Sequence, residues 1–269
     1  MLKKLILLAT IIAAGIMLFP SQSTFSSSQD ALATFRGNSC VTCHSRSNAQ
    51  LQVTSRYAEW HMSVHREKGV GCEKCHGGDA TAQEQAKAHA GVLAVNAPNS
   101  RLHPKNLTQT CGTCHQEIAN TFTESKHFQN LKSAGLGPSC STCHEHMASN
   151  VIYTPEQTST LCASCHDSTN ALMPKRPEIP GRAAEVMQSI RRANMVVMWA
   201  DRLVDDAHIK KVDITAEEKE MNAVRTMRAD AKISWHAFNL DVARKKADAT
   251  FEEGTKVKDA LRKKLYPNQ

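Results

Sequence analysis

Apolar residues recur every three to four positions over the last third of the chain. Ala183, Val186, Met187, Ile190, Ala193, Val197, Ala200, Leu203, Val204 and Ala207 form one stripe, which predicts an amphipathic helix over roughly residues 182–208. Thr215 followed by Glu218 reads as a capping box, so a second helix is expected from about residue 216. Its stripe is Met221, Val224, Met227, Ala231, Trp235, Phe238 and Val242, and the pattern runs on to about Leu265. Unbroken, that helix would be about 70 Å long at 1.5 Å per residue. This exceeds a compact domain, so a bend or break near Gly254, or a projecting arm, is expected. Ile233, His236 and Leu240 lie on a second stripe of the same helix.

Residues 30–175 show no such sustained period. Pro174, Pro177 and Pro180-Gly181 separate them from the helices. At the N-terminus, Met1-Leu2-Lys3-Lys4 precedes an uncharged, mostly apolar run from Leu5 to Phe19, and a Ser/Thr/Gln stretch follows to Gln29. That is the layout of a secretory leader, and the run is shorter than the ~20 residues of a membrane span. A removed leader and a retained single-helix anchor both fit, and both export the chain. Three regions result: a leader or anchor over 1–29, a second segment over 30–175 and a helical domain over 176–269.

Composition explains the middle segment. Aromatic residues make up only 5% of the 269 residues, so few large side chains are available to build a core. The chain instead has 10 Cys and 13 His. All the cysteines fall in five copies of one motif. The first holds Cys40, Cys43 and His44, and the second Cys72, Cys75 and His76. The third holds Cys111, Cys114 and His115, the fourth Cys140, Cys143 and His144, and the fifth Cys162, Cys165 and His166. CxxCH is the attachment signature of c-type haem. The two thiols form thioethers to one porphyrin, and the adjacent histidine faces the iron as proximal ligand. A zinc site would pair its CxxC units, and their number here is odd. A disulfide framework would not place His after every second Cys. Five covalently attached haem c groups are therefore expected.

The motifs allow about 25 residues per haem, well below the ~50 residues of a small domain. The porphyrins must pack together and supply the buried apolar mass that side chains lack. Charge is recounted accordingly. The formal net is +7; loss of Lys3 and Lys4 with a leader and the gain of ten propionates bring it to about −5. The basic sequence is no argument for nucleic acid binding. The fold class expected is mainly α with much irregular structure: a multihaem cytochrome c core plus a C-terminal long-helix hairpin.

The remaining histidines decide between carrier and enzyme, because a sixth ligand closes the iron and an open position admits substrate. Ser63-Val-His65 and Ser125-Lys-His127 precede Cys72 and Cys140 as two copies of one unit. His103 lies before Cys111, His146 follows His144, and His89 sits between the second and third motifs. With His236 these are the distal candidates. His61 is placed at i, i+4 from His65, so one of the two would serve. Met62 and Met147, beside histidines, are alternative ligands. His208 lies at a helix end and reads as a surface or capping residue.

From about Cys111 onward, Thr110-Cys-Gly-Thr-Cys-His115-Gln-Glu117, the Ser125-Lys-His127 unit, the closely spaced last two motifs and Trp235-His236 in a helical tail resemble the pentahaem ammonia-forming nitrite reductases and their hydroxylamine oxidoreductase relatives. Residues 30–110 match only as a multihaem cytochrome. The resemblance implies that the tail packs on the haem core, that it forms a homodimer interface, and that His236 ligates the fourth haem. The departures are specific. The family's active-site haem carries Lys where the first motif here ends in His44. The family's catalytic Tyr position is Ile118, and His127 alone aligns with an active-site His. The chain is also shorter than a typical member.

The expected function is therefore electron transfer through five close haems. The donors would be quinol-linked, such as a membrane quinol oxidoreductase, and the acceptors a terminal reductase or other cytochromes, on the periplasmic or extracellular side. Membrane association would follow only from a retained N-terminal segment. The alternative is a reductase or oxidase of a small nitrogen or sulfur compound, such as nitrite or hydroxylamine, at one open haem. A filament subunit of stacked haems is a third reading.

Overall fold

The computed structural model describes residues 35–46, 51–146, 150–167, 173 and 175–267, with the side chains of 51–54 left aside. The chain divides into two units, residues 1–36 and 37–269. The leader region and Met147 lie outside the described residues. The described residues form helices and no strand, and none of these helices is long and apolar enough to cross a membrane.

Among the described residues, ten short helices precede residue 167. They are α1 (Ser39–His44), α2 (Leu51–His61), α3 (Val64–Glu67), α4 (Cys72–His76), α5 (Gln85–Ala88), α6 (Leu107–Gly112), α7 (Gln116–Thr123), α8 (Lys126–Ala134), α9 (Cys140–His144) and α10 (Pro155–His166). Loops and turns join them. Three long helices follow: α11 (Ile179–Lys210), α12 (Thr215–Trp235) and α13 (Leu240–Leu265). The mainly helical class expected from the sequence is what forms.

The tail buries the stripe that its periodicity marks. Val197, Ala200, Val204 and Ala207 of α11 meet Met221 and Val224 of α12 and Val257, Leu261 and Leu265 of α13 in one cluster. A second cluster joins Ala183, Val186 and Ile190 to Ala231, Leu240, Ala243 and Ala247, with Cys162 of the fifth motif packed against it. The haem segment thus docks on the bundle through α10. Ion pairs such as Arg244–Glu185 and Arg192–Asp248 bridge α11 and α13 at the surface; each contributes little on its own.

Four details differ from the sequence reading, each for a local reason. The tail is three helices, because the chain breaks at residues 236–239. There Phe238 takes φ +56°, and the Asn239 side chain accepts the Val242 N–H to start α13 afresh. Val242 is consequently exposed. Gly254 is no break: it lies buried within α13, where a Cβ would come within 2.8 Å of Val196 Cγ1. Its lack of a side chain lets α13 approach α11. Thr215 forms no capping box; its N–H and Oγ1 both donate to Asp213. His61 and His65 do not share a helix, since α2 ends at His61 and Ser63 caps α3.

Gly254→Ala tests the close approach. Alanine favours a helix by about 1 kcal/mol over glycine, whereas overpacking a tight contact costs roughly 1–3 kcal/mol. Val196 is β-branched and stiff, so the clash should win. Urea unfolding should show a net loss of about 1 kcal/mol; a gain would mean that the helices stand further apart.

Candidate haem centre

Four of the five motifs are each built on a helix that holds both cysteines and the histidine. Helices α1, α4, α9 and α10 all end on the motif histidine. Their starts are fixed locally. Asn38 accepts the Val41 N–H, and capping boxes Ser139/Thr142 and Thr154/Gln157 open α9 and α10. The third motif differs: α6 stops at Gly112, and His115 becomes the N-cap of α7.

None of the ten cysteines is joined in a disulfide, which leaves every motif thiol available. They are not equally covered, however. Cys43 and Cys114 are exposed, and Cys165, like the other seven, is only partly covered. The protein encloses none of the ten sulfurs fully. Cys43 lies on the short helix α1, at the surface beside the chain's first motif histidine. Cys165 has its Sγ 3.8 Å from Ser164 Oγ. Burial is the largest effect raising the pKa of Cys40 and of Cys162, and Cys43 and Cys165, their motif partners, add to it. The two sulfurs of each of these motifs are therefore near enough to act on each other.

Four motif histidines face a histidine from elsewhere in the chain. The ring centroids of His44 and His89 are 6.0 Å apart and near parallel. Those of His115 and His65 are 6.2 Å apart, His166 and His127 5.9 Å, and His144 and His236 6.1 Å. An imidazole bound end-on holds its centroid about 3.1 Å from a metal at about 2.0 Å per bond, so two trans ligands stand about 6.2 Å apart. All four separations match that span. Among the described residues, no group of three or more His, Cys, Asp or Glu is arranged to hold a metal ion. The imidazoles come in twos, with thiols beside them, which is the donor set of an axially ligated haem c. The remaining motif histidine, His76 of the second motif, lies close enough to His146 for the two charges to act on each other. The residues present fit the cofactor.

The partner histidines are held by ordinary helix chemistry. Ser63 and Ser125 are buried N-caps that accept the N–H of Arg66 and Phe128, which sets His65 and His127 in the first turn of α3 and α8. Gly137 (φ +142°) passes so close to α8 that a Cβ would lie 2.6 Å from the His127 carbonyl oxygen. Phe238 lays its ring 4.1 Å from that of His127. His89 and His236 donate Nδ1–H to the carbonyls of Gln85 and Lys232, at 2.9 and 2.8 Å. His146 places Nδ1 2.7 Å from the Glu59 carboxylate. Each of these bonds assigns the proton to Nδ1 and leaves Nε2 to bind.

His103 is arranged the other way. Its Nδ1 accepts the Lys105 N–H at 3.3 Å, so the neutral ring carries its proton on Nε2. Among the described residues its ring has no aromatic partner. His61 stacks on Tyr57, His208 is exposed and pairs with Glu218, and Met62 is exposed.

Burial sets the protonation of the paired rings. Desolvation is the largest effect lowering the pKa of His44, His76, His144 and His236. It takes His127 down to about 4, with the charge of His166 adding. Neutral imidazole is the metal-binding form. The cysteines show how the motifs succeed one another. Burial pushes Cys72 up to about 12, with Cys40 of the first motif next in effect. Cys75 feels Cys114. Cys111 and Cys140 share a hydrogen bond, and Cys143, pushed up to about 11 by burial, feels Cys162. Cysteines of successive motifs therefore lie within electrostatic reach of one another in chain order.

Comparison with known proteins finds other haem proteins. Residues 20–77, which include the first two motifs, match the family model for cytochrome c554 and c-prime. The C-type polyheme cytochrome OmcC of Geobacter sulfurreducens is 29% identical over 151 residues, covering 56% of this chain and 17% of that protein. OmcB of the same organism is 26% identical over 179 residues, covering 56% of this chain and 22% of OmcB. The multiheme cytochrome MtrA of Shewanella baltica is 25% identical over 153 residues, covering 55% of this chain and 43% of MtrA.

In its motifs and in its matches the chain is similar to multihaem c-type cytochromes.

It spans less than half the length of each of these relatives. No solved structure matches the chain. Two features of its centre escape the sequence reading. Glu59 carries no local signal, being 87 residues from its partner His146. Phe238 continues a helical stripe by its spacing, so nothing local marks it as a contact of His127.

Proposed function

We propose that the chain binds five haem c groups, one per motif, and passes electrons along them in chain order. The axial pairs are His44/His89, His76/His146, His115/His65, His144/His236 and His166/His127. Bound there, the haems supply one-electron exchange. The protein's part is to hold an imidazole on each face, so that substrate finds no open position. It also sets the potentials through burial and hydrogen bonds. The ring pairs spaced at 5.9–6.2 Å are the observation that carries this reading. The electrostatic reach between cysteines of successive motifs supports the order of the relay.

The finer parts belong to the same proposal. The haem segment (30–175) and the tail (176–269) act as core and support. Kinship with the ammonia-forming nitrite reductases and hydroxylamine oxidoreductases draws on His236 facing His144. Ile118 and His44 stand against their chemistry. Export follows from the leader-like run Leu5 to Phe19 and from haem c attachment outside the cytoplasm. Partners are other redox proteins on that side of the membrane. A homodimer would use the face of α11 where Met195, Met198 and Trp199 are exposed.

The test is an EPR spectrum of the oxidised holoprotein with haem content measured alongside. Five haems, all low-spin and unchanged by nitrite, hydroxylamine or cyanide, are expected. A high-spin signal from about one haem in five that responds to these ligands would instead mark an open, substrate-binding centre.

A further inference from the structure

We infer that Glu59 lowers the potential of the second centre. The inference rests on His146 being an axial ligand, as proposed above. Glu59 sits in the last turn of α2, and its Oε2 lies 2.7 Å from Nδ1 of His146. Arg56, one turn earlier, donates to both carboxylate oxygens at 2.8 and 3.0 Å and fixes the group in place. The side chain is 31% exposed, so the contact is partly shielded from water.

The other described partners of distal rings are different in kind. His89 and His236 donate to backbone carbonyls of their own helical turns, which are neutral acceptors. A carboxylate makes a shorter and stronger bond. It draws the Nδ1 proton away from the ring and makes Nε2 a better electron donor to the iron. Both this donation and the nearby negative charge favour the oxidised state, which carries one more positive charge. Arg56 takes up part of the carboxylate's charge, which weakens the effect without changing its sign. The contact also joins α2 to the segment after the fourth motif across 87 residues. No local turn would create it, whereas the two carbonyl bonds come with any helical histidine of that rotamer.

The test is a spectroscopically monitored redox titration of the holoprotein, wild type against Glu59→Gln and Glu59→Ala. Gln keeps the shape and an acceptor but loses the charge; Ala loses the bond. Both variants should retain five haems and an all-low-spin spectrum. In both, one midpoint potential should move upward, further in Ala, with the other four in place. Unmoved potentials in both would overturn the inference. So would loss of haem or a new high-spin signal in both, since Glu59 would then only hold the fold. His146→Ala separates this from failure of the ligand assignment. One haem in five should become high-spin in that variant; if all five stay low-spin, His146 is not a ligand.

Discussion

Produced without haem attachment, the chain is expected to lose ordered structure from Ser39 to His166 while Ile179 to Leu265 stays helical. The reason is the distribution of buried apolar side chains. Between residues 37 and 167 only Trp60, Phe122 and Leu131 among the described hydrophobic residues are buried. Each contributes about 1.5–3 kcal/mol, and fixing one residue's backbone costs about 1–2 kcal/mol. Three such side chains offset the ordering of a handful of residues. Most of the short helices are under ten residues long and are marginal alone. Their caps fix where they start but do not hold them together. The tail differs. Its cluster of Val197, Ala200, Val204, Met221, Val224, Leu261 and neighbours is drawn entirely from α11, α12, α13 and Ile214, in the turn between α11 and α12. A variant with all ten cysteines replaced by serine should therefore show, by far-UV circular dichroism, helix for about the tail alone. Limited proteolysis should digest it up to the region before Ile179 and spare a fragment containing the three helices. Protection of residues 39–166 from proteolysis in that variant would show that the protein core, rather than the cofactors, organises the segment.

The same distribution explains what could be read in advance. The tail was legible because a buried stripe imposes its period on the sequence: Ala183, Val186, Met187, Ile190, Ala193, Val197, Ala200, Val204 and Ala207 are all buried in α11. Its ends were less legible. Pro180 reads as a stop, yet it lies in the first turn of α11, where a missing N–H is harmless. The break after Trp235 was hidden because Phe238 and Val242 continue the helical period. The local bond from Val242 N–H to Asn239 and the turn at Phe238 outweigh that period. In the haem segment, CxxCH states its own chemistry, so the motif histidines need no structure to be found. How much protein covers each sulfur does need one: Cys43 and Cys72 look alike as motif cysteines, but one is exposed and the other partly covered. The partners of the motif histidines are likewise a tertiary matter. His103 and His89 look alike by spacing, but one accepts a backbone N–H at Nδ1 and the other donates from it. Only the fold shows that difference.

Replacing His236 by Ala should open the fourth centre. This histidine is delivered by the tail: it follows the last residue of α12, and its Nδ1–H is held by the Lys232 carbonyl 2.8 Å away. Its ring lies 6.1 Å from that of His144 and within 13° of parallel. Alanine is too short to span that distance, and no histidine other than His236 is described stacked on His144. About one haem in five should turn high-spin in the oxidised protein and bind cyanide. Added imidazole should restore the low-spin spectrum, because the space left is that of the lost ring. Global stability should change little, since the ring is outside both buried clusters of the tail. His103→Ala is the matched control. Its Nδ1 is already committed to Lys105, so its loss should leave all five centres low-spin. The reverse result, with His103→Ala opening a centre and His236→Ala leaving the spectrum intact, would mean that the tail does not reach the haems and that the distal ligands come from the N-terminal loops. The turn at Phe238 gives a second reason to expect the first result. Phe238 follows His236 by two residues and rests its ring 4.1 Å from that of His127. One bend of the tail thus orders a histidine of the fourth pair and packs against a histidine of the fifth. The end of α12 would therefore brace the fourth and fifth of the proposed centres.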